Sequence, residues 1–206
     1  MATRTATLPT RELILDAGLR LLARLGYRKS SMDDLAREAG LARRTIYLHF
    51  ASKEAVFLAS IDRVVDELLE KLVAIAAEEN DPIERVRRML VTRVLHRVDS
   101  VRDYYQSLDE MFGVLRKTYL ERRERYFAAE LDVFTSAVAH GIASGRFAPG
   151  DARATARTLL AATNSLLPYS LSVKELGSRK EIERQVGQVA DLLLQGLNSR
   201  TPRSAR

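Results

Sequence analysis

The segment of residues 40–50, GLARRTIYLHF, places cationic and hydrogen-bonding side chains beside apolar ones. At about 100° per residue, a helix over this segment puts Ile46 and Phe50 close together on one side. Arg44 and Leu48 then point away from that side. An arginine can donate to guanine O6 and N7 or to phosphate, and an exposed leucine can contact a thymine methyl group. The segment therefore predicts a short helix that is anchored on one side and meets nucleic acid on the other.

The positive charge of the chain is concentrated near its N-terminus. The sequence of 206 residues has a formal net charge of +6, and residues 1–53 hold ten Lys and Arg against five Asp and Glu. This asymmetry is typical of a chain that meets a polyanion at one end. A solvated basic face without a nucleic-acid partner explains the charge alone equally well.

The sequence offers little support for catalysis or for a metal site. It has no cysteine, which excludes disulfides, thiolate metal ligands and cysteine nucleophiles. No H-E-x-x-H motif, phosphate-binding glycine loop or nucleophile elbow occurs. We therefore predict no metal, no cofactor and no enzymatic activity. The alternatives are an enzyme whose catalytic groups assemble in space and a helical adaptor that binds protein through its basic face.

No segment of the sequence indicates a membrane protein. No apolar run approaches the roughly 20 residues that span a bilayer. The N-terminal residues MATRTATLPT lack the apolar region of a secretory signal. We expect a soluble, cytoplasmic chain.

Apolar residues recur at three- and four-residue intervals along the chain, which predicts an all-α fold of about nine helices. Ser31 and Asp34 have the spacing of a capping box, and Gly40 is placed to end the helix that they begin. A long helix is predicted over residues 108–143, and a later one is predicted to reach Leu167. The residues placed to cap helix N-termini are Thr10, Ser31, Ser52 and Asp151.

Two short helices joined by EAGLA predict a helix-turn-helix, whose second helix fits a major groove. We predict this domain over residues 1–55, a second domain over residues 56–199 and a basic tail over residues 200–206. Lys53 is expected to hold a phosphate with the amide dipoles of the following helix. Packing is the alternative role for Tyr47 and His49. The predicted DNA contacts are Ser31, Arg43, Arg44, Thr45, Tyr47, Leu48, His49 and Lys53.

Residues 10–57 resemble the DNA-binding region of the TetR (tetracycline-repressor-like) family of bacterial transcription regulators. The resemblance rests on Gly26-Tyr27, Ser30-Ser31, Leu35-Ala36, Ala39-Gly40, Thr45-Ile46-Tyr47, Phe50 and Lys53-Glu54. It implies a homodimer, most often a repressor, that binds a near-palindromic double-stranded DNA operator and responds to a small molecule. Ala42 and Arg44 depart from the serine and glycine usual in the family, so base contacts are not transferred from relatives.

The resemblance also implies that the second domain binds the effector and forms the dimer. The fifth predicted helix has an apolar stripe edged by polar side chains, which favours a mostly hydrophobic effector. Core packing or a surface position is the alternative for each of these residues. The candidate effector-binding residues are Met89, Arg93, His96, Tyr105, Phe112 and Asn164. The candidate dimer seam, on the last two helices, comprises Leu159, Leu166, Val186, Val189, Leu193 and Leu197.

Overall fold

The structure, a computed structural model, describes residues 9–78, 81–170, 175 and 177–198, without the side chains at positions 108, 109 and 112. The predicted basic tail over residues 200–206 lies outside the described residues. Eight α-helices occur in the described part: α1 (Thr10–Leu25), α2 (Met32–Ala39), α3 (Arg43–His49), α4 (Lys53–Ala76), α5 (Pro82–Val101), α6 (Leu108–Ala143), α7 (Ala152–Thr163) and α8 (Arg179–Leu197). Short 3-10 helices cover Arg102–Ser107, Asn164–Leu166 and Pro168–Ser170.

The all-α prediction is confirmed. Across the described ranges the only strand-like pairing is an isolated bridge between Phe147 and Asn198. The bounds of α6 agree with the predicted helix over residues 108–143. Among the described helices, none has the length and apolar composition needed to cross a bilayer.

Most of the predicted helix starts are confirmed. Asp34 N donates to Ser31 Oγ at 3.2 Å and Ser31 N donates to Asp34 Oδ2 at 3.0 Å, which completes the capping box of α2. Asp151 and Ser52 cap α7 and α4 through their side-chain oxygens. The predicted cap at Thr10 is wrong, because Thr10 is already helical and Pro9 precedes α1 without a side-chain cap.

Helix α7 is shorter than predicted. It ends at Thr163 instead of reaching Leu167, and a 3-10 helix covers Asn164–Leu166. Leu167 is extended, with φ −83° and ψ 147°. The residue before a proline is sterically biased towards this extended conformation, and Pro168 follows directly.

The chain folds into two compact units whose boundaries fall inside helices. The first unit comprises Met1–Val64 and Asp103–Leu120, and the second comprises Val65–Arg102 and Glu121–Arg206. Helices α4 and α6 therefore contribute residues to both units. The first of these boundaries falls within α4, which no glycine or proline interrupts, and the predicted domain boundary at residue 55 stays a prediction.

Each unit has its own hydrophobic core. The first core joins α1 to α4 and includes Ile14, Leu35, Ile46 and Val56. The main core of the second unit joins α4 to α8 and includes Leu72, Leu90, Phe134, Leu160 and Ala190. Burying one such side chain contributes roughly 1.5–3 kcal/mol to the stability of the fold. A short helix such as α3 is therefore stabilised mainly by the side chain that it buries in the core of its unit.

Candidate nucleic-acid interface

Helices α2 and α3 are joined by a tight turn and anchored by apolar side chains. Gly40, with φ +66°, adopts the left-handed conformation at the end of α2. Ile46 is fully buried in the first core, and Phe50 is only 7% exposed. Helix α3 begins after Ala42 without a side-chain cap, so packing determines its position. The predicted helix-turn-helix is confirmed.

The outer side of α3 is exposed and carries most of the predicted contact residues. Leu48 is 76% exposed and Tyr47 is 43% exposed. Thr45 is half-buried, and Ser31 is exposed at the start of α2, where its hydroxyl donates to Asp34 Oδ2 at 2.6 Å. The exposed side chains that α3 brings together are Arg43, Arg44, Tyr47, Leu48 and His49.

Arg43, the first residue of α3, is held by two neighbours. Its Nη1 lies 3.0 Å from Asp33 Oδ1, and its guanidinium carbon lies 5.5 Å from the centroid of the Tyr47 ring. The hydrogen bond to Tyr47, followed by the charge of Asp33, raises the pKa of Arg43. Asp33 is not among the predicted contact residues, because an acidic residue in the first turn of a helix is ordinary and nothing local in the sequence connects it with Arg43.

Lys53 contacts the turn between α1 and α2, a role that the sequence did not indicate. Its Nζ donates to Tyr27 O at 3.0 Å, to Ser30 O at 2.9 Å and to Arg28 O at 3.5 Å. It also lies 4.6 Å from the centroid of the Tyr27 ring. An ammonium group has three donors, and here all three are directed at carbonyl oxygens of the turn between α1 and α2. Lys53 therefore positions this turn, and its phosphate contact stays a prediction.

Tyr27 is a further positioning residue that the sequence analysis left without a role. Its hydroxyl donates to Glu54 Oε1 at 2.8 Å, and its backbone N–H donates to Glu110 Oε2 at 3.1 Å. Burial, followed by the hydrogen bond to Glu54 and its charge, raises the pKa of Tyr27. The pairs Gly26-Tyr27 and Lys53-Glu54, which match the family pattern, were the sequence signal that could have indicated this role. No sequence signal pointed to Glu110.

Two of the six candidate effector-binding residues meet in the second unit. Arg93 is 2% exposed and donates from Nη2 to Asn164 Oδ1 at 2.8 Å. It also donates from Nη1 to Thr163 Oγ1 at 3.0 Å and from Nε to Glu130 Oε2 at 2.5 Å. Arg97 donates to the other oxygen of Glu130. Burial alone raises the pKa of Glu130, but the two arginines more than offset this and hold it below its usual range.

The other candidate effector residues have different described surroundings. Met89 is fully buried in the main core of the second unit, so its side chain has no free surface. His96 Nδ1 lies 2.9 Å from Lys71 Nζ of α4. Tyr105 is buried and belongs to the first unit, and the side chain of Phe112 lies outside the described part. The effector-binding role of these six residues stays a prediction.

An open pocket of about 550 Å³ occurs elsewhere in the second unit. It contains none of the six candidate effector residues. It is lined by Ala76, Ala77, Glu78, Arg85, Ser136, Ala137 and His140.

The predicted dimer seam is also corrected in part. Leu159 is 2% exposed and Val186 is fully buried in the chain's own cores, so neither side chain has surface to offer a partner. Leu166, Val189, Leu193 and Leu197 are half-buried. Leu192, which is 72% exposed on α8, is not among the predicted seam residues. In the run of three leucines at positions 192–194, periodicity alone did not decide which one faces outward.

An all-α chain with an N-terminal helix-turn-helix and an exposed cationic recognition helix belongs to the class of helix-turn-helix proteins. Residues 14–60 match the family model for bacterial regulatory proteins of the tetR family. Residues 82–190, more than half of the chain, match the tetracyclin repressor-like C-terminal domain. The chain is therefore a member of the TetR family of transcriptional regulators.

Similar proteins include several transcriptional regulators. The uncharacterized regulator YuxN of Bacillus subtilis is 28% identical over 79 residues, which are 38% of this chain and 27% of YuxN. EthR of Mycobacterium tuberculosis is 47% identical over 51 residues, which are 25% of this chain and 24% of EthR. The chain thus spans about a quarter of the length of these relatives. The uncharacterized regulator YhgD of Bacillus subtilis is 28% identical over 158 residues, 73% of this chain and 78% of YhgD.

Solved structures share the fold over nearly the whole chain. A TetR/AcrR-family regulator from Thermobifida fusca has a TM-score of 0.69 at 29% identity and covers 90% of this chain and 97% of its own. The SmeT–triclosan complex has a TM-score of 0.71 at 21% identity, covering 96% and 99%. FadR from Bacillus subtilis in complex with stearoyl-CoA has a TM-score of 0.67 at 17% identity, covering 91% and 99%. The last two show the fold alone.

Proposed function

We propose that this regulator binds a near-palindromic DNA operator as a homodimer, represses transcription there and is released by a small, mostly hydrophobic effector. The observation that carries the proposal is helix α3. Ile46 anchors it in the first core, while its outer side exposes cationic and polar groups of a size that a major groove admits.

The DNA contacts of the proposal follow from position on the helix-turn-helix. Recognition helices contact base edges mainly through their N-terminal residues, where Arg43 and Arg44 lie. Leu48, the most exposed large apolar side chain of α3, suits a thymine methyl group. The residues suited to phosphate or sugar contacts are Ser31, Thr45, Tyr47 and His49.

The dimer of the proposal uses the outward sides of α7 and α8. Leu192 is exposed on α8. Leu193, the next residue, and Val189, three residues earlier, are half-buried. Ala161 of α7 is exposed, and such a small side chain permits close approach of a second copy. A two-fold dimer would present two α3 helices to half-sites about 34–36 Å apart, which requires a near-palindromic operator.

The effector of the proposal binds in the second unit and acts by a population shift. Support comes from proteins of the same fold, SmeT with triclosan and FadR with stearoyl-CoA, whose ligands have large apolar parts. Within this chain, Arg93 and Asn164 are the candidate polar partners for such a ligand. The effector releases the operator only to the extent that it prefers the conformation with the lower DNA affinity.

The test is selection of duplexes from a randomised DNA pool by the purified full chain, followed by binding titrations at several salt concentrations. We expect a near-palindromic sequence and an affinity that falls steeply with salt. Arg44→Ala should cost about 1–3 kcal/mol and relax the preference at one position of each half-site. Arg146→Ala, which removes an exposed arginine of the second unit, is the matched control and should leave binding unchanged. A chain that selects no sequence and binds no duplex at low salt would contradict the proposal.

A further inference from the structure

The first arginine of the recognition helix is both exposed and restrained. Arg43 Nη1 lies 3.0 and 3.1 Å from the two carboxylate oxygens of Asp33. Nη2 donates to the Tyr47 hydroxyl at 3.5 Å, and the Tyr47 ring lies beneath the guanidinium. The side chains of Arg43 and Asp33 are still 60% and 54% exposed. A DNA duplex that meets α3 therefore meets the arginine and its carboxylate together.

The two adjacent arginines of α3 differ in this respect. Arg44 is exposed on the same helix, and its side chain has no ion pair with any residue in the described ranges. The Arg44 guanidinium can therefore pair with a DNA phosphate without first breaking another ion pair. Arg43 must first leave Asp33 before it can do the same.

We propose that Asp33 is a specificity-determining residue, which keeps Arg43 available to base edges and disfavours its use on phosphates. This inference rests on the proposed DNA-binding function. A phosphate that approaches Arg43 meets the negative carboxylate at the same place, and like charges repel. Guanine O6 and N7 are acceptors without a net charge. Asp33 binds Nη1 and the Tyr47 hydroxyl accepts one hydrogen of Nη2. The Nε hydrogen and the second Nη2 hydrogen remain for a guanine, so the guanidinium can bind it without losing its ion pair.

The expected consequence is a lower affinity for non-specific DNA, which is bound almost wholly through phosphates. Replacing Asp33 by asparagine releases Arg43 to a phosphate. The affinity for non-specific duplex should then rise about three- to tenfold near 0.1 M salt, and the salt dependence should steepen by about one unit of log K per log salt. Operator affinity should stay nearly constant, so the ratio of operator to non-specific affinity should fall by about the same three- to tenfold factor.

A general effect of removing one negative charge would resemble part of this result, so the test is a double-mutant cycle. Wild type, Asp33→Asn, Arg43→Met and the double variant are titrated with the selected operator and with a scrambled duplex. Glu38→Gln is the matched control, because it removes an acid of the same helix that pairs with Arg20 and Arg24. Asp33→Glu keeps the charge and should keep the wild-type affinity ratio. Thermal melting of each variant verifies that it is folded.

The inference is supported if Asp33→Asn lowers the affinity ratio in the wild-type background and has little effect in the Arg43→Met background. It is overturned if the ratio is unchanged, or if Asp33→Asn has the same effect without Arg43, or if Glu38→Gln matches it. These results leave the proposed function standing, because the wild type still selects its operator. A wild type that selects no DNA would instead refute the proposed function, and this inference with it.

Discussion

Two adjacent side chains, Lys53 and Glu54, act on Tyr27 from different directions. Lys53 binds its carbonyl oxygen and lies over its ring, while Glu54 accepts a hydrogen bond from its hydroxyl. The turn between α1 and α2 is thereby tied to the first turn of α4. Because α2 begins directly after this turn, these contacts help to place the helix-turn-helix.

Lys53→Met should therefore destabilise the protein more than it alters DNA binding. It removes hydrogen bonds from a charged donor to backbone carbonyls, and such bonds contribute about 1.5–3 kcal/mol each. We expect a loss of a few kcal/mol, measured by chemical denaturation, with a salt dependence of DNA binding close to that of wild type. Lys29→Met, at an exposed position of the same turn, is the control and should be as stable as wild type. If Lys53→Met is as stable as wild type and the salt dependence of its DNA binding is lower by about one unit, Lys53 contacts a phosphate instead.

Glu130 is the buried anion of the second unit, 1% exposed between Arg93 and Arg97. Its folded-state pKa lies below its usual range, so the folded state favours the carboxylate. The stability that this provides is fully present above the usual glutamate pKa of about 4.3. It is lost as the pH falls through the lower pKa of the folded state.

Glu130→Gln should destabilise the chain by about 3–5 kcal/mol at pH 7, because it leaves buried guanidinium groups without their counter-charge. The difference from wild type should shrink as the pH falls below the usual glutamate pKa of about 4.3, and it should be small once the pH is below the lowered pKa of the folded state. Denaturation curves at several pH values measure both effects. Glu124→Gln, at an exposed position of α6, should show neither. A difference that does not depend on pH would mean that the carboxylate charge is not what stabilises the cluster.

At the scale of elements, the end of α6 is shaped by one glycine. Arg146 N and Phe147 N both donate to Gly141 O at 2.9 Å, which turns the chain back on the helix. Phe147 is 2% exposed in the main core of the second unit. A Cβ added at Gly141 would lie 2.2 Å from Phe147 Cδ2, so no other residue fits without moving this ring.

Gly141→Ala should lower the free energy of unfolding by about 1–3 kcal/mol, because the overpacking outweighs the better helix propensity of alanine. The matched control lies on the same helix. A Cβ at Gly113 meets nothing within 4 Å, so Gly113→Ala should stabilise the chain by up to about 1 kcal/mol. Thermal and chemical denaturation compare the two. Equal stabilisation by both substitutions would show that Phe147 moves aside without cost.

At the scale of the whole molecule, the proposed dimer depends on α8. Leu193 packs partly against the main core of its own unit, whereas Leu192 is exposed. A charge at Leu193 would therefore disturb folding and association together. A charge at Leu192 tests association alone.

Leu192→Glu should shift the protein to monomer, because a charge is costly in a dry interface. Its operator affinity should fall as well, because a monomer has one helix-turn-helix and makes half of the DNA contacts. Sedimentation velocity and operator titration measure the two effects. Val73→Glu, at a 53% exposed apolar position of α4 in the second unit, is the control and should remain dimeric. A dimeric Leu192→Glu protein would place the seam elsewhere.

Local patterns were sufficient to predict the helix-turn-helix. The capping box of α2, the turn at Gly40 and the exposed side of α3 depend on residues within a few positions of one another. Helix propensity, capping and amphipathic periodicity act over this distance, so the residue types alone carry the information. The same holds for the all-α class and for the bounds of α6.

The roles of individual charged side chains depended on contacts between distant residues. Arg43 meets Asp33 across ten positions, Arg93 meets Glu130 across 37, and Tyr27 meets Glu110 across 83. Lys53 meets carbonyl oxygens of the turn 23 to 26 positions earlier, contacts that its place in the sequence did not indicate. Which groups satisfy a donor, and whether a leucine faces a core or solvent, is determined by how helices pack. The packing of the helices is a property of the folded chain, and the spacing of residue types along the sequence does not reveal it.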